Sequence, residues 1–114
     1  MSLIYKILAR SEWDEALASG YFVGSTVDLA DGFIHFSTGT QAPATARLHF
    51  AGGSDLMLLS VEATRLGETL RWEAARNGDL FPHLYGPLAV AEVVDARPAP
   101  TVADGTIDLG DLTR

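Results

Sequence analysis

Three histidines in a chain without cysteine carry most of its acid–base reach near neutral pH, and two of them lie where a ligand could meet them. The first segment reads Gly32-Phe33-Ile34-His35-Phe36-Ser37-Thr38. As a strand over residues 33–37 it turns Phe33, His35 and Ser37 to one face, so an imidazole and a hydroxyl address the same molecule, with Thr38 beside them. The second segment, Phe81-Pro82-His83-Leu84-Tyr85-Gly86, reads as an aromatic loop whose proline restricts the backbone. From it a neutral His83 can accept a proton, and Tyr85 can donate to a phosphate or carbonyl oxygen. Arg71 and Glu73 alternate with Leu70 and Trp72, so one side of a short strand offers a guanidinium for phosphate or carboxylate and a carboxylate for a ribose hydroxyl. Lys6, on the first strand, adds a cation. His35, His83 and Glu73 are therefore the candidate catalytic groups. Lys6, Ser37, Thr38, Arg71 and Tyr85 are the candidate ligand-binding groups, and His35 and His83 are expected to open onto one cleft.

These groups allow three chemistries. One is a cleft for a nucleotide-like ligand, binding it or transferring a group from it. A second is a two-histidine phosphoesterase, with His35-Phe36-Ser37 as one His-x-Ser element; its counterpart carries Tyr85 where Ser or Thr is needed. The third, a metal held by His35, His83 and Glu73, lacks compact ligand spacing, so no metal is expected and a phosphate-bearing ligand is preferred. A non-catalytic alternative is ligand binding alone, or self-association through Phe22, Phe81 and Tyr85, leaving a monomer or homodimer.

The elements that must position these residues follow from periodicity. Residues 4–8 read as a strand and residues 12–19 as a helix with Ser11 as cap, Trp13, Ala16 and Leu17 as its apolar face, and Gly20 at its end. Residues 28–32 read as a turn. A second helix begins near Pro43 and turns Ala46, His49 and Phe50 inward, which places His49 at the core margin. Residues 56–61 form a central strand, residues 77–79 a turn, and residues 88–94 a last strand. Strands mixed with two short helices, without a strand–helix alternation or a glycine-rich nucleotide fingerprint, predict the α+β class with one curved antiparallel or mixed sheet. The compact domain is expected over residues 1–96, and residues 97–114 are expected as a tail or edge extension.

Composition sets the outer bounds. The 114 residues are 47% hydrophobic and 20% charged, which suits a single domain with one core. Without cysteine, packing must supply the stability and a thiolate nucleophile is excluded. Fifteen acidic against eight basic side chains give a formal charge of −7, which disfavours an extended nucleic-acid or anionic-membrane surface. No apolar run approaches the length of a membrane span, and a cytoplasmic location is expected.

Taken together, Ile4-Tyr5-Lys6-Ile7, Asp31-Gly32-Phe33-Ile34-His35-Phe36-Ser37-Thr38, Gln41, Leu70-Arg71-Trp72-Glu73 and Leu80-Phe81-Pro82-His83-Leu84-Tyr85-Gly86 resemble a small bacterial family, the domain-of-unknown-function family 952, over residues 3–94. That family looks like a distant, compact relative of the ADP-ribosyltransferase fold, including the RNA 2′-phosphotransferases. The resemblance implies a split, mostly antiparallel sheet around an NAD cleft, and ADP-ribosyl or phosphoryl transfer. Such enzymes use a His or Arg on the first core strand and a later Glu at the ribose. Here Tyr5-Lys6 stands at the first place, Glu73 is the counterpart of the second, and no His-Gly-Thr element is present.

Overall fold

Two strands buried on both faces along nearly their whole length build the central sheet. A computed structural model describes residues 2–112, and in it β1 (Leu3–Ala9) pairs antiparallel with β5 (Leu56–Glu62), Ile4 opposite Val61 and Leu8 opposite Met57. β4 (Ser37–Thr38) flanks β1, and β9 (Val93–Ala99) flanks β5, giving the order β4-β1-β5-β9. Successive side chains of a strand point to opposite faces. Ile4, Leu8, Met57, Leu59 and Val61 thus enter one core with Trp13, Phe22, Ile34 and Leu84, while Tyr5, Ile7, Leu56 and Leu58 enter a second with Ala42, Ala46, Ile107 and Leu109. Lys6 shares the first face with Ile4 and Leu8 and is buried there.

A separate three-stranded sheet carries β3 (Ile34–His35), β7 (Leu80–Leu84) and β6 (Leu70–Ala74) in that order, and a small ribbon pairs β2 (Tyr21–Phe22) with β8 (Leu88–Ala89). Helices α1 (Arg10–Ser19), α2 (Thr26–Asp31) and α3 (Ala42–His49) complete an α+β domain. Among the described residues no helix is long and apolar enough to cross a membrane.

Several expectations are corrected. There are three helices among the described residues, because residues 28–32 lie in α2 and its end rather than in a free turn. α2 begins with a reciprocal cap in which the Ser25 amide donates to Asp28 Oδ2 at 2.9 Å, and it stops at Gly32 with φ +86°. α1 starts at Arg10, capped by Glu12, whose carboxylate accepts from the Ala9 amide. Leu17 on α1 and His49 on α3 face solvent rather than the core. One sheet was expected and three form among the described residues. The strand over residues 33–37 breaks at buried Phe36, whose amide donates to the Pro82 carbonyl, and the chain there passes from one sheet to another. Residues 80–84 are a strand, not a loop.

Residues 88–94 divide into β8, a 3-10 turn over Val90–Glu92, and β9. The boundary placed between residues 96 and 97 falls inside β9, which runs to Ala99. Beyond it Thr101 bridges to Ile107, and Ile107 and Leu109 are buried. Residues 113 and 114 lie outside the described residues.

Candidate functional site

The register of the three-stranded sheet places three of the sequence candidates in one row. His35 on β3 lies opposite His83 on β7, and His83 lies opposite Arg71 on β6. Residues paired across strands project from the same face, so the three side chains emerge together, with Glu73 two residues along β6 and Tyr85 two residues beyond His83. The imidazole centroids of His35 and His83 are 5.6 Å apart. Phe33 joins them: its ring stacks on His83 at 4.1 Å and lies 4.6 Å from His35 and 5.2 Å from Tyr85. The Arg71 guanidinium stands 4.9 Å from the centre of the Tyr85 ring.

His35 and His83 each have Nδ1 against a carboxylate. His83 Nδ1 is 2.8 Å from Glu73 Oε1, and the Tyr85 hydroxyl donates to the same oxygen at 2.8 Å. The bond with His83, reinforced by that from Tyr85, holds the Glu73 carboxyl below its ordinary range, while the bond to Glu73 pushes the Tyr85 hydroxyl up. His35 Nδ1 lies 2.6 Å from Asp28 Oδ1, which also accepts from the His35 amide at 3.1 Å. On its outer edge His35 Nε2 meets Asp31 Oδ2 at 2.9 Å.

Asp28 is the residue on which this half of the site turns, and it was absent from the candidates. It is 2% exposed. The Lys6 ammonium donates to it, 3.0 Å from Oδ1 and 2.9 Å from Oδ2, and the Ser25 amide and hydroxyl donate to Oδ2. Burial alone raises a carboxyl's pKa. Here the hydrogen bond from His35 and the charge of Lys6 outweigh burial and hold Asp28 below its usual range. Burial pushes the Lys6 ammonium down, against the opposing pull of Asp28. Lys6 thus reaches the site through Asp28 and touches His35 only by way of it. The signal for Asp28 was in the sequence: Ser25 three residues ahead of an acid, with Gly32 closing a helical turn.

Ser37 and Thr38 are not part of this cluster. The Ser37 hydroxyl bonds Thr45 on α3 at 2.9 Å, and Thr38 exchanges hydrogen bonds with Gln41 at the entry to α3. The sheet switch at Phe36 sends them to the other end of the segment from His35. Phe22 and Phe81, expected on a contact surface, are buried.

Beside the aromatic cluster lies a cavity of about 290 Å³ lined by Val23, Asp28, Leu29, Phe33, Leu84 and Pro87 among others. Phe33 and Asp28 are its links to the histidines. Neither imidazole lines it, so the two rings neighbour each other without sharing this cavity: Phe33 stands between. Val23 and Leu29 of that lining are exposed at 63% of their surface. Among the described residues no group of three or more His, Asp or Glu side chains is arranged to hold a metal ion.

The same architecture is found in solved structures. The crystal structure of protein CC0527 from Caulobacter crescentus matches with a TM-score of 0.94 at 58% identity, covering 96% of each chain. Its solution NMR structure matches with a TM-score of 0.84 at 57% identity, over 96% of this chain and 93% of that one. No curated protein matches the chain. The family model described as protein of unknown function (DUF952) matches residues 7–96, a span that runs from β1 to β9 and takes in Asp28, Asp31, both site histidines, Arg71, Glu73 and Tyr85, and the chain belongs to that family.

Proposed function

We propose that this face binds a nucleotide-like ligand, with NAD as the first candidate and ADP-ribosyl transfer as the chemistry served. The observation that carries the reading is the aromatic row of Phe33, His83 and Tyr85, with the Glu73 carboxylate bonded to His83 and Tyr85 and the Arg71 guanidinium against the Tyr85 ring, beside an apolar slot. A cavity of about 290 Å³ is at the small end of ligand sites. It suits one planar ring and not a whole dinucleotide, whose phosphates would lie across the open surface toward Arg71. Of the site residues, Phe33 and Asp28 line that cavity, so a cationic nicotinamide ring there meets one aromatic face and one carboxylate, which favour a cation over a neutral or anionic ring. When bound, NAD supplies an ADP-ribosyl group with nicotinamide as its leaving group.

The chain's own residues divide the work. Phe33 and Tyr85 stack, Arg71 pairs with phosphate oxygens, and Glu73, fixed through Oε1 by His83 and Tyr85, offers Oε2 to a ribose hydroxyl. Ser37 weighs against the phosphoesterase alternative, since its hydroxyl is engaged by Thr45 rather than paired with His35.

The test is a titration of isotopically labelled protein with NAD and ADP-ribose, following amide and imidazole signals. Shifts gathered at Phe33, His35, His83 and Tyr85 are expected, with affinity falling about 10- to 100-fold in Arg71→Ala, as for loss of a charged hydrogen bond. Release of nicotinamide, assayed separately, should vanish in Glu73→Gln. If neither ligand shifts these signals at millimolar concentration, the nucleotide reading is wrong.

A further inference from the structure

We infer that the outer nitrogen of His35 is a subsite for a ligand's anionic oxygen, and that Asp31 is a built-in competitor for it. The inner edge of the ring is immobilised. Nδ1 lies 2.6 Å from a carboxylate that is itself buried and held by Lys6 and by Ser25, and the His35 amide is tied to the same oxygen. A ring fixed at one edge aims its other nitrogen in a single direction, and with Nδ1–H given to Asp28 it is the doubly protonated ring whose Nε2–H donates to an anionic oxygen. That direction is outward: the His35 side chain is 34% exposed, and Nε2 points at Asp31 Oδ2, 2.9 Å away, on a side chain 49% exposed.

Asp31 differs from Asp28 in what holds it. Asp28 accepts from Lys6, Ser25 and His35, whereas among the described residues the contact found for the Asp31 side chain is His35. It is the last residue of α2, a helix without a basic side chain in its final turn, and the carbonyls left unpaired at a helix C-terminus repel a carboxylate rather than hold it. Gly32 follows with φ +86° and open space where a Cβ would stand. The Asp31 carboxylate is thus placed where a phosphate or carboxylate oxygen of a ligand would sit, bound by one half-exposed contact that water and ligand can both replace. Phe33, two residues on, stacks on His83, so the same short turn brings the competitor and the aromatic platform to the site together.

The ligand chemistry is that of a phosphate group. Inorganic phosphate and the phosphate of a nucleotide are its two sources, and the inference rests on the nucleotide reading only for the choice between them. The experiment compares wild type, Asp31→Ala and Asp31→Asn, each titrated with inorganic phosphate and with ADP-ribose, with the His35 ring followed by ¹H–¹⁵N spectroscopy. Amide spectra first establish that each variant is folded. An exposed ion pair contributes roughly a 2- to 5-fold change in an equilibrium constant, so both variants should bind phosphate about that much more tightly than wild type, with the shift centred on Nε2. The gain should disappear when His35→Gln is added to Asp31→Ala. Equal or weaker phosphate binding in Asp31→Ala, or a shift that bypasses the His35 ring, overturns the competitor. A gain for phosphate with no response to ADP-ribose upholds it while rejecting the nucleotide reading.

Discussion

At the scale of the residue, the Asp28 carboxylate is a charge buried at 2% exposure. Taking an ion pair out of water is expensive, and the pair survives only when each charge is met by its partner and by further hydrogen bonds. Asp28 meets that condition through Lys6, Ser25 and His35. Removing one partner leaves the other charge buried alone. Asp28→Asn should therefore lower stability by about 3–5 kcal/mol, read in urea melts at pH 7, and a Lys6→Met, Asp28→Leu double variant should lose less than that single change. The pH dependence follows from the same contacts. Because the folded Asp28 carboxyl titrates below its ordinary range, the unfolded chain binds that proton more readily than the folded one. The stabilisation is complete above the unfolded carboxyl's pKa of about 4 and is lost as pH falls further. Between pH 5 and pH 3, roughly the window that value sets, wild type should lose more stability than Asp28→Asn. Parallel curves would mean that Asp28 titrates alike in the folded and unfolded chain.

At the scale of the element, α2 is a helix of six residues, too short to be stable by itself. Its two ends and its burial of Asp28 must hold it. Gly24 and Gly32 mark those ends and test them differently. Gly32 has φ +86° with nothing near a would-be Cβ, so alanine there costs only the left-handed backbone, about 1 kcal/mol. Gly24 has φ +122°, and its Cβ would stand 2.9 Å from the Asp28 Cβ. Gly24→Ala should therefore cost clearly more than Gly32→Ala in chemical denaturation and should also disturb the His35 ring signals, since the clash pushes on the residue that holds that ring. A Gly32 variant as damaging as the Gly24 one would show that the helix end, not Asp28, is the sensitive point. This helix also marks how far the sequence could be read. The strands at residues 4–8 and 70–73 were legible in the sequence, as was the one at 56–61 from its continuous apolar run, and alternation along 70–73 put Arg71 and Glu73 on one face. α2 was not, because Thr26-Val27-Asp28-Leu29-Ala30-Asp31 leaves Val27 and Leu29 exposed and buries the acid, inverting the hydrophobic pattern from which helices are recognised. Ser37 was misplaced for a related reason: alternation carries a side chain to a face only while the strand continues, and at Phe36 it changes sheets.

For the whole molecule, the two faces of the central sheet divide the labour. Lys6, Asp28 and the site stand on the side of Ile4 and Leu8, whereas α3 and the C-terminal segment cover the side of Tyr5, Ile7 and Leu58. That segment is tied down at several points. The Arg97 guanidinium donates to the carbonyls of Leu109 and Asp111 at 2.8 and 2.9 Å, the Thr101 hydroxyl donates to the Gly53 carbonyl, and Ile107 and Leu109 lie 7% and 8% exposed against the second core. Low apolar density and the prolines at 98 and 100 hide this packing from a reading of the sequence, since two isolated side chains give no period to detect. Truncating a buried aliphatic side chain to alanine costs about 2–5 kcal/mol through lost transfer energy and the cavity left behind. For a domain whose total stability is of order 5–15 kcal/mol, Ile107→Ala and Leu109→Ala should each remove a large share, visible as an earlier urea midpoint. The site lies across the sheet, and β1 joins the two faces only through backbone and alternating side chains. Under conditions where the variants remain folded, the aromatic contacts of Phe33 with His83 and the position of His35 should be unchanged, so their imidazole spectra should overlay on wild type. Stability lost with those spectra intact assigns the C-terminal segment to the scaffold. Altered His35 and His83 signals in Ile107→Ala would instead mean that the sheet transmits packing from one face to the other.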